Sequence, residues 1–416
     1  MAMNETTTES GIILDRRSLI LGASAAGLSA ALGTSPAFAQ GAPKKGGVVA
    51  PLSAAVIVAV SDSTIQIRNG EILIDPSARQ TLSIVDFNGP EPAVRASIPL
   101  ANSLFGPPVS VGVTPDESLA LISEALKPGD GGKAAELVPS NVVHVVDLTV
   151  NPPKEISKVT VGSQPSGMSI HPLGHMALVA NAGDKFISIL SIRGKDVSVA
   201  GKVEISGPAT HVAIAPDGRS ALATIQDDHK IAVLTIEGDT VTNVGRDIPV
   251  GLYPFNLDIT PNGALAIVAN SGKGGRSDGN IDTVTVLDLE HDPVHVIDHV
   301  TVGDSPEGIV VSPTGQIAVV GLLDGGDGPH DAFYYHRRGR IVILGIDGKK
   351  VSRLQEITLG GIPESVAFSP DGRYLLVGNL LDKDIAVLRV NGTTVVDTGL
   401  RLPLPAQPAA LRARAR

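Results

Sequence analysis

Apolar residues in this chain come in short runs that alternate with polar positions, and the runs are rich in β-branched side chains. "IAVLTI", "TVTVLDL", "RIVILGI" and "DIAVLRV" are representative, each bounded by Gly, Asp or Pro turns. Alternation places successive side chains on opposite faces, as in a strand, and nothing between the runs shows the helical period of about 3.6 residues. The runs also repeat in a fixed order. Six segments read as a proline, an apolar strand, a second proline with a Gly or acidic turn, a second apolar strand often ending in Asn, then two further strands. The clearest copies are "PSGMSIHPLGHMALVAN", "PFNLDITPNGALAIVAN", "PEGIVVSPTGQIAVVGL" and "PESVAFSPDGRYLLVGN".

The turn prolines Pro115, Pro172, Pro216, Pro261, Pro313 and Pro370 follow one another by 57, 44, 45, 52 and 57 residues. That period is too long for a helical solenoid and suits a propeller blade of four antiparallel strands, A to D. In the sixth copy these are Ser365–Ser369, Tyr374–Gly378, Ile385–Val390 and Val395–Leu400. The N-terminal "AVIVAV", "TLSIVDF" and "AVRASIPL" read as strands B, C and D without an A, whereas the C-terminal "LPLPAQPAALRARAR" approaches an A strand and stops. Joining Ala410–Ala413 to the sheet opened by residues 50–100 closes the ring in one-plus-three fashion and leaves no free sheet edge at the seam. The expectation is an all-β, seven-bladed propeller occupying 48–416 as a single domain.

These repeats resemble those of the YVTN-repeat and lactonase-type seven-bladed propellers, whose blades carry a "vG-x-x-P-x-g-v-x-x-s-P-d-G-k-x-x-y-v-x-N" line; the resemblance runs from about Val48 onward. It implies a lactone-opening site made of an Arg-His pair at the start of one A strand and a Glu at the following B-strand end. The matching segment is "GPATHVAIAPDGRSALATIQDD", where His211 falls on the histidine, Thr210 replaces the arginine and Gln226 the glutamate. Lactone hydrolysis then requires Glu307, Glu364 or the fifth-blade histidines as substitutes. The chain has no Trp-Asp or kelch signature, no G-x-S-x-G elbow, no H-E-x-x-H helix and no phosphate-binding glycine loop.

The first residues read as an address. Asp15-Arg16-Arg17-Ser18-Leu19-Ile20 opens an Ala/Leu/Gly run ending in Ala37-Phe38-Ala39, which resembles a twin-arginine signal cleaved before Gln40 and followed by a flexible stretch 40–47. The mature chain is therefore expected in the periplasm or secreted, with no membrane attachment after signal removal. Absence of Cys excludes disulfides, thiolate metal sites and attached haem, and absence of Trp excludes tryptophan-derived quinones. A net charge of −10 and a pI near 5.5 argue against nucleic acid. A monomer without a cofactor is expected, with a divalent cation in the channel left open.

Strand alternation puts A–B and C–D turns on one face of the disc and B–C and D–A loops on the other. B–C connections swell in "SEALKPGDGGKAAELVPSN", "SGKGGRSDGN" and "LLDGGDGPHDAFYYHRRGR", and long loops on one face of a rigid ring usually bind something. The last of these gathers Asp324, Asp327, His330, Asp331, Tyr334, Tyr335, His336, Arg337 and Arg338. Strand-B ends supply Glu124, Asn181, Gln226, Asn270 and Asn379 to the channel mouth, where Asn alternatively caps its own turn. Strand-A starts supply Ser166, His211, Asn256, Glu307 and Glu364. Mid-strand A is small at Gly112, Ser169 and Ala367, so Asp258 and Arg412 there should be paired or turned toward water in the channel. His295 and His299 lie about 13 Å apart along a strand, too far to share an ion. The expected function is binding of a small molecule, polymer or protein on the long-loop face and central channel. Alternatives are a lactone hydrolase, or an oxidoreductase subunit holding its cofactor non-covalently through His.

Overall fold

The computed structural model describes residues 56–129 and 136–416. The expected export signal, its expected cleavage point and the stretch 40–47 lie outside the described residues. Seven four-stranded antiparallel sheets form a ring. Blade 2 shows the regular order, with strand A Pro165–Ile170, B Met176–Asn181, C Phe186–Arg193 and D Asp196–Glu204. Strands A of blades 3 to 6 are His211–Ile214, Pro254–Ile259, Pro306–Val311 and Pro363–Phe368. The seam closes as the sequence predicts. Strand A of blade 7, Pro408–Ala413, pairs with the N-terminal strand Val56–Asp62 in the register Ile57↔Ala413 to Val60↔Ala410, and Gln80–Asp86 and Ala93–Pro99 complete that sheet.

Local chemistry explains the repetition. In the A–B turns, Gly174, Gly218, Gly263, Gly315 and Gly372 all have φ between 70° and 74°, where a Cβ is disfavoured. The preceding polar residue fixes the turn: Asp217, Asn262 and Asp371 each accept a backbone N–H two residues on. Adjacent blades bury apolar faces against each other. Ile267, Val284, Val286, Ile309 and Val320, for example, form one contact layer between blades 4 and 5.

Two elements depart from the sequence expectation. The blade 1 insertion continues the ladder: strands Leu119–Pro128 and Leu137–Asp147 remain paired out to Pro128↔Leu137, past a bulge at Glu124/Leu126. The B–C connection of blade 7 holds a hairpin, Ile65–Arg68 with Glu71–Ile74, turned by Asn69 and Gly70 at φ 51° and 81°. Alternating "IQIRNGEILI" around Asn-Gly is a strong signal for such a turn, and it lay inside what reads as a plain connection.

Candidate functional site

The central channel is roofed at its long-loop end and open at the other. The hairpin 65–74 reaches from blade 7 over the disc: the backbone N–H of His330 donates to Asn69 Oδ1 at 2.7 Å, Arg276 donates to Gly70 O at 3.4 Å, and Pro329 packs on Gly70. Beneath it Ile65, Ile67, Ile72 and Ile74 join Leu104, Phe105, Leu126, Leu323, Ile362 and Leu380 in one apolar cluster drawn from blades 1, 5, 6 and 7. This roof explains why the strand-A starts are inaccessible. His211, Asn256, Glu307 and Glu364 are all buried, and both glutamates are engaged by other groups of the fold.

The segment matching the lactone-opening constellation is sealed inside blade 3. Thr210 Oγ1 bonds Thr224 Oγ1 at 3.0 Å, Gln226 is buried with Nε2 unpartnered, and the His211 ring lies against Gly167. His211 Nδ1 accepts the Leu257 N–H at 3.4 Å. Burial pushes its imidazole well below its ordinary pKa, and the charge of Arg412 pushes the same way. The ring is therefore neutral, with its proton on Nε2, and Nε2 has no partner. Both amide atoms of Asn256 and the Ser365 hydroxyl are likewise buried and unpartnered. The equal spacing of His211, Asn256 and Ser365 from their turn prolines gives them one level on three A strands.

Two residues further along these strands the channel opens into a cavity of about 380 Å³ at the A–B-turn end. The turn prolines rim it, and Ser169, Asp258, Val310, Ala367 and Arg412 line its wall. Asp258 Oδ2 accepts the Val311 N–H at 2.8 Å and meets Arg416 at 3.3 Å; Arg416 also donates to Val311 O at 2.8 Å. Residues 414–416 continue past strand A of blade 7, bridging Arg414 to Val113 and crossing the mouth toward blades 4 and 5. Arg412 is enclosed by the channel wall while still touching the cavity. Burial lowers its pKa, Asp258 opposes this and Arg416 adds to it. Asp258 and Arg412, which break the pattern of small residues, thus both line the cavity, and the charge of one acts on the other.

The fifth-blade insertion divides into an inner buried half and an outer exposed half. Asp324 forms a two-point pair with Arg340 at 2.6 and 2.7 Å, and its carbonyl meets His336 Nδ1 at 3.1 Å. Asp327 accepts the Ser277 N–H at 3.2 Å through one oxygen, and the other is unpartnered. His330 stacks against Tyr335, Arg337 pairs with Asp382, Arg338 donates to Leu359 O, and Asp331 is exposed. Tyr334 packs edge-on against Phe333, itself exposed. The insertion therefore does not bring its His, Tyr and Asp side chains together into one cluster. Carboxylates that act on one another here are Asp278, Asp282, Asp304 and Asp327, three of which the sequence does not single out. Burial raises Asp282 and Asp304 to about 6, with Asp278 acting on Asp282 and Asp327 on Asp304.

Strand-B ends turn into their own blades. Asn181 Nδ2 donates to Phe186 O and Ser188 Oγ, Asn270 Nδ2 to Thr283 and Thr285, and Asn379 Nδ2 to Asp384. Glu124 accepts from Ser140 at 2.7 Å, with His144 Nε2 at 4.0 Å. His291 packs edge-on to His295 and bonds Asp288, while His299 bonds Thr285. No group of three or more His, Cys, Asp or Glu is arranged to hold a metal ion among the described residues, nor is any helix long and apolar enough to cross a membrane.

Comparison with solved structures places this geometry in a known architecture. A periplasmic gluconolactonase from Pseudomonas aeruginosa, PpgL, superposes with a TM-score of 0.62 at 18% identity, covering 87% of this chain and 99% of that one. A Bacteroides uniformis protein provisionally assigned as a 6-phosphogluconolactonase gives 0.65 at 14%, covering 86% and 99%. What is shared is the fold. The dihydro-heme d1 dehydrogenase NirN also matches, with a TM-score of 0.52 at 15% identity, covering 86% of this chain and 75% of that one. No protein-family model and no curated protein matches the sequence.

Proposed function

We propose that this is an exported propeller that holds a small molecule in its central channel, entered from the A–B-turn face. The observation that carries the reading is the cavity of about 380 Å³ with Asp258, Arg412 and Arg416 in its lining. Its size suits a small ligand, and charged groups set among apolar side chains are what fixes one. The roof over the other end supports this choice of face, and the arginine pair ahead of the apolar N-terminal run supports export by the twin-arginine route. The test is to denature protein purified from its native host and identify what it releases by mass spectrometry. A stoichiometric small molecule is expected from wild type and none from Val310→Trp, which fills the cavity; release of nothing from either would sink the reading.

Likeness of fold to gluconolactonases keeps lactone hydrolysis as the second reading. Thr210 and Gln226 cannot supply the cation and carboxylate that polarise a lactone and activate water. Buried His211 offers only a neutral imidazole. Gluconolactone opening at the uncatalysed rate is expected for wild type and His211→Ala alike; acceleration lost in His211→Ala would establish the hydrolase.

A further inference from the structure

We infer that the channel cavity is a receptor for a small oxoanion, a carboxylate or phosphate, anchored by Arg412; this rests on the channel-binding reading above. Three independent features of the cavity point there. The first is an arginine without a hydrogen-bonding partner. Among the described residues no acceptor reaches the Arg412 guanidinium, which is half-buried and lines the cavity wall. Partly desolvating a guanidinium without giving it an acceptor is costly, and a ligand acceptor entering from the cavity offsets that cost.

The second feature is the balance of charge. Arg412, Arg414 and Arg416 line the cavity against a single side-chain carboxylate, Asp258, which already accepts the Val311 N–H and pairs with Arg416. This positive pocket lies in a chain of net charge −10, so its sign is set by local design rather than by composition. A cavity in which one sign of charge predominates focuses field lines and draws in the opposite ion. Arg414 and Arg416 at the mouth extend that field outward, and Arg412 lies deeper.

The third feature is the level beneath. His211 Nε2–H, Asn256 Nδ2 and the Ser365 hydroxyl are donors without acceptors, one step further along the axis, and His211 is close enough to feel the charge of Arg412. These groups lie outside the cavity lining, and as uncharged donors they place no competing negative charge beneath an anion held at Arg412. The apolar walls at Ile170, Ile214, Val310 and Phe368 favour an acid with a compact, partly apolar body. A guanidinium with planar paired donors recognises both carboxylate and phosphate, so the source is left to the titration.

The test is calorimetric titration of the full chain with D-gluconate, inorganic phosphate and, as the uncharged counterpart, D-glucose. Saturable binding of gluconate or phosphate is expected, with no heat from glucose. Arg412→Gln should weaken it roughly thirtyfold or more, the loss usual for one partner of a buried charged hydrogen bond. Arg412→Lys should restore part of the affinity, and Val310→Trp should abolish binding. An unchanged melting temperature without ligand shows that the variants fold. Equal anion affinity in wild type and Arg412→Gln would overturn the assignment of the anchor. If native-host protein releases a neutral or cationic molecule that Val310→Trp excludes, and neither anion binds, the anion inference falls while the channel reading stands; if nothing is released and nothing binds, both fall.

Discussion

Asparagine at the end of strand B shows how a repeated residue acquires its role from a partner elsewhere in the chain. A Cβ added to Gly162, Gly251 or Gly360 would run into the amide of Asn181, Asn270 or Asn379, and the glycine precedes its asparagine by nineteen residues in each case. Each asparagine then ties strand B to strand C, and Gly360 additionally donates its N–H to Asn379 Oδ1 at 3.0 Å. The amide thus locks the D–A connection against the blade it leads into. Gly251→Ala should destabilise the fold by about 1–3 kcal/mol through overpacking. Shortening the asparagine removes the obstacle, so Asn270→Ala should cost less in the Gly251→Ala background than alone. Denaturant unfolding of the four proteins measures that coupling directly, and strict additivity would refute the contact. The asparagines are legible in sequence because they recur at one place in the repeat. Their partner glycines recur as well, in the "vG-x-x-P" line, but the contact between the two is not legible, because glycine has no side chain to announce it.

Among elements, the strands were legible and the long-range contacts of the loops were not. Alternation and the proline turns locate nearly every strand of the ring, whereas the hairpin tip bonds residues 206 and 261 positions away, a pairing no local pattern carries. The blade 1 arm was hidden by Pro128 and Gly129, whose composition reads as loop although the ladder runs to Pro128. Packing of the blade 4 loop on blade 5 has a thermodynamic consequence. Asp304 accepts the N–H groups of Asp278 and Gly279, Asp282 accepts that of Ser305, and Asp327 approaches from the facing loop. Arg340, the cation that acts on this group, is already paired with Asp324. Burial raises Asp282 and Asp304 to about 6 from an ordinary 3.8, so the folded chain binds these protons more tightly than the unfolded one. Their contribution to stability is then greatest at low pH and declines as pH rises between about 4 and 6. Asp282→Asn, which keeps an acceptor for Ser305, should raise the melting temperature above this window and leave it nearly unchanged below it. Melting curves on either side of the window decide; an equal shift at both would show that the proton is not the cause.

For the whole molecule, closure of the ring determines both stability and site. Strand A of blade 7 completes the sheet begun by Val56–Asp62, contributes Ala409, Ala410 and Leu411 to the cores shared with its neighbours, and places Arg412 in the channel. The one-plus-three seam was legible because three orphan strands at one end of the sequence matched one at the other. The charged cavity was only half legible: Asp258 and Arg412 stood out against small residues at the same level, but the crossing of Arg416 depends on geometry that the repeat does not encode. Two truncations separate the seam from the cavity. Removing Arg414–Arg416 deletes a half-exposed ion pair worth about 1 kcal/mol or less and the short bridge to Val113 but leaves the ladder through Ala413 intact, so melting temperature should fall far less than on loss of the whole strand. Removing Pro408–Arg416 exposes the inner edge of strand Val56–Asp62 and opens two apolar cores, so the chain should lose its cooperative transition and aggregate. Thermal melts with size-exclusion chromatography compare the two. Equal tolerance of both truncations would mean that the ring holds without its seam, and Arg412 would then lose the strand that positions it.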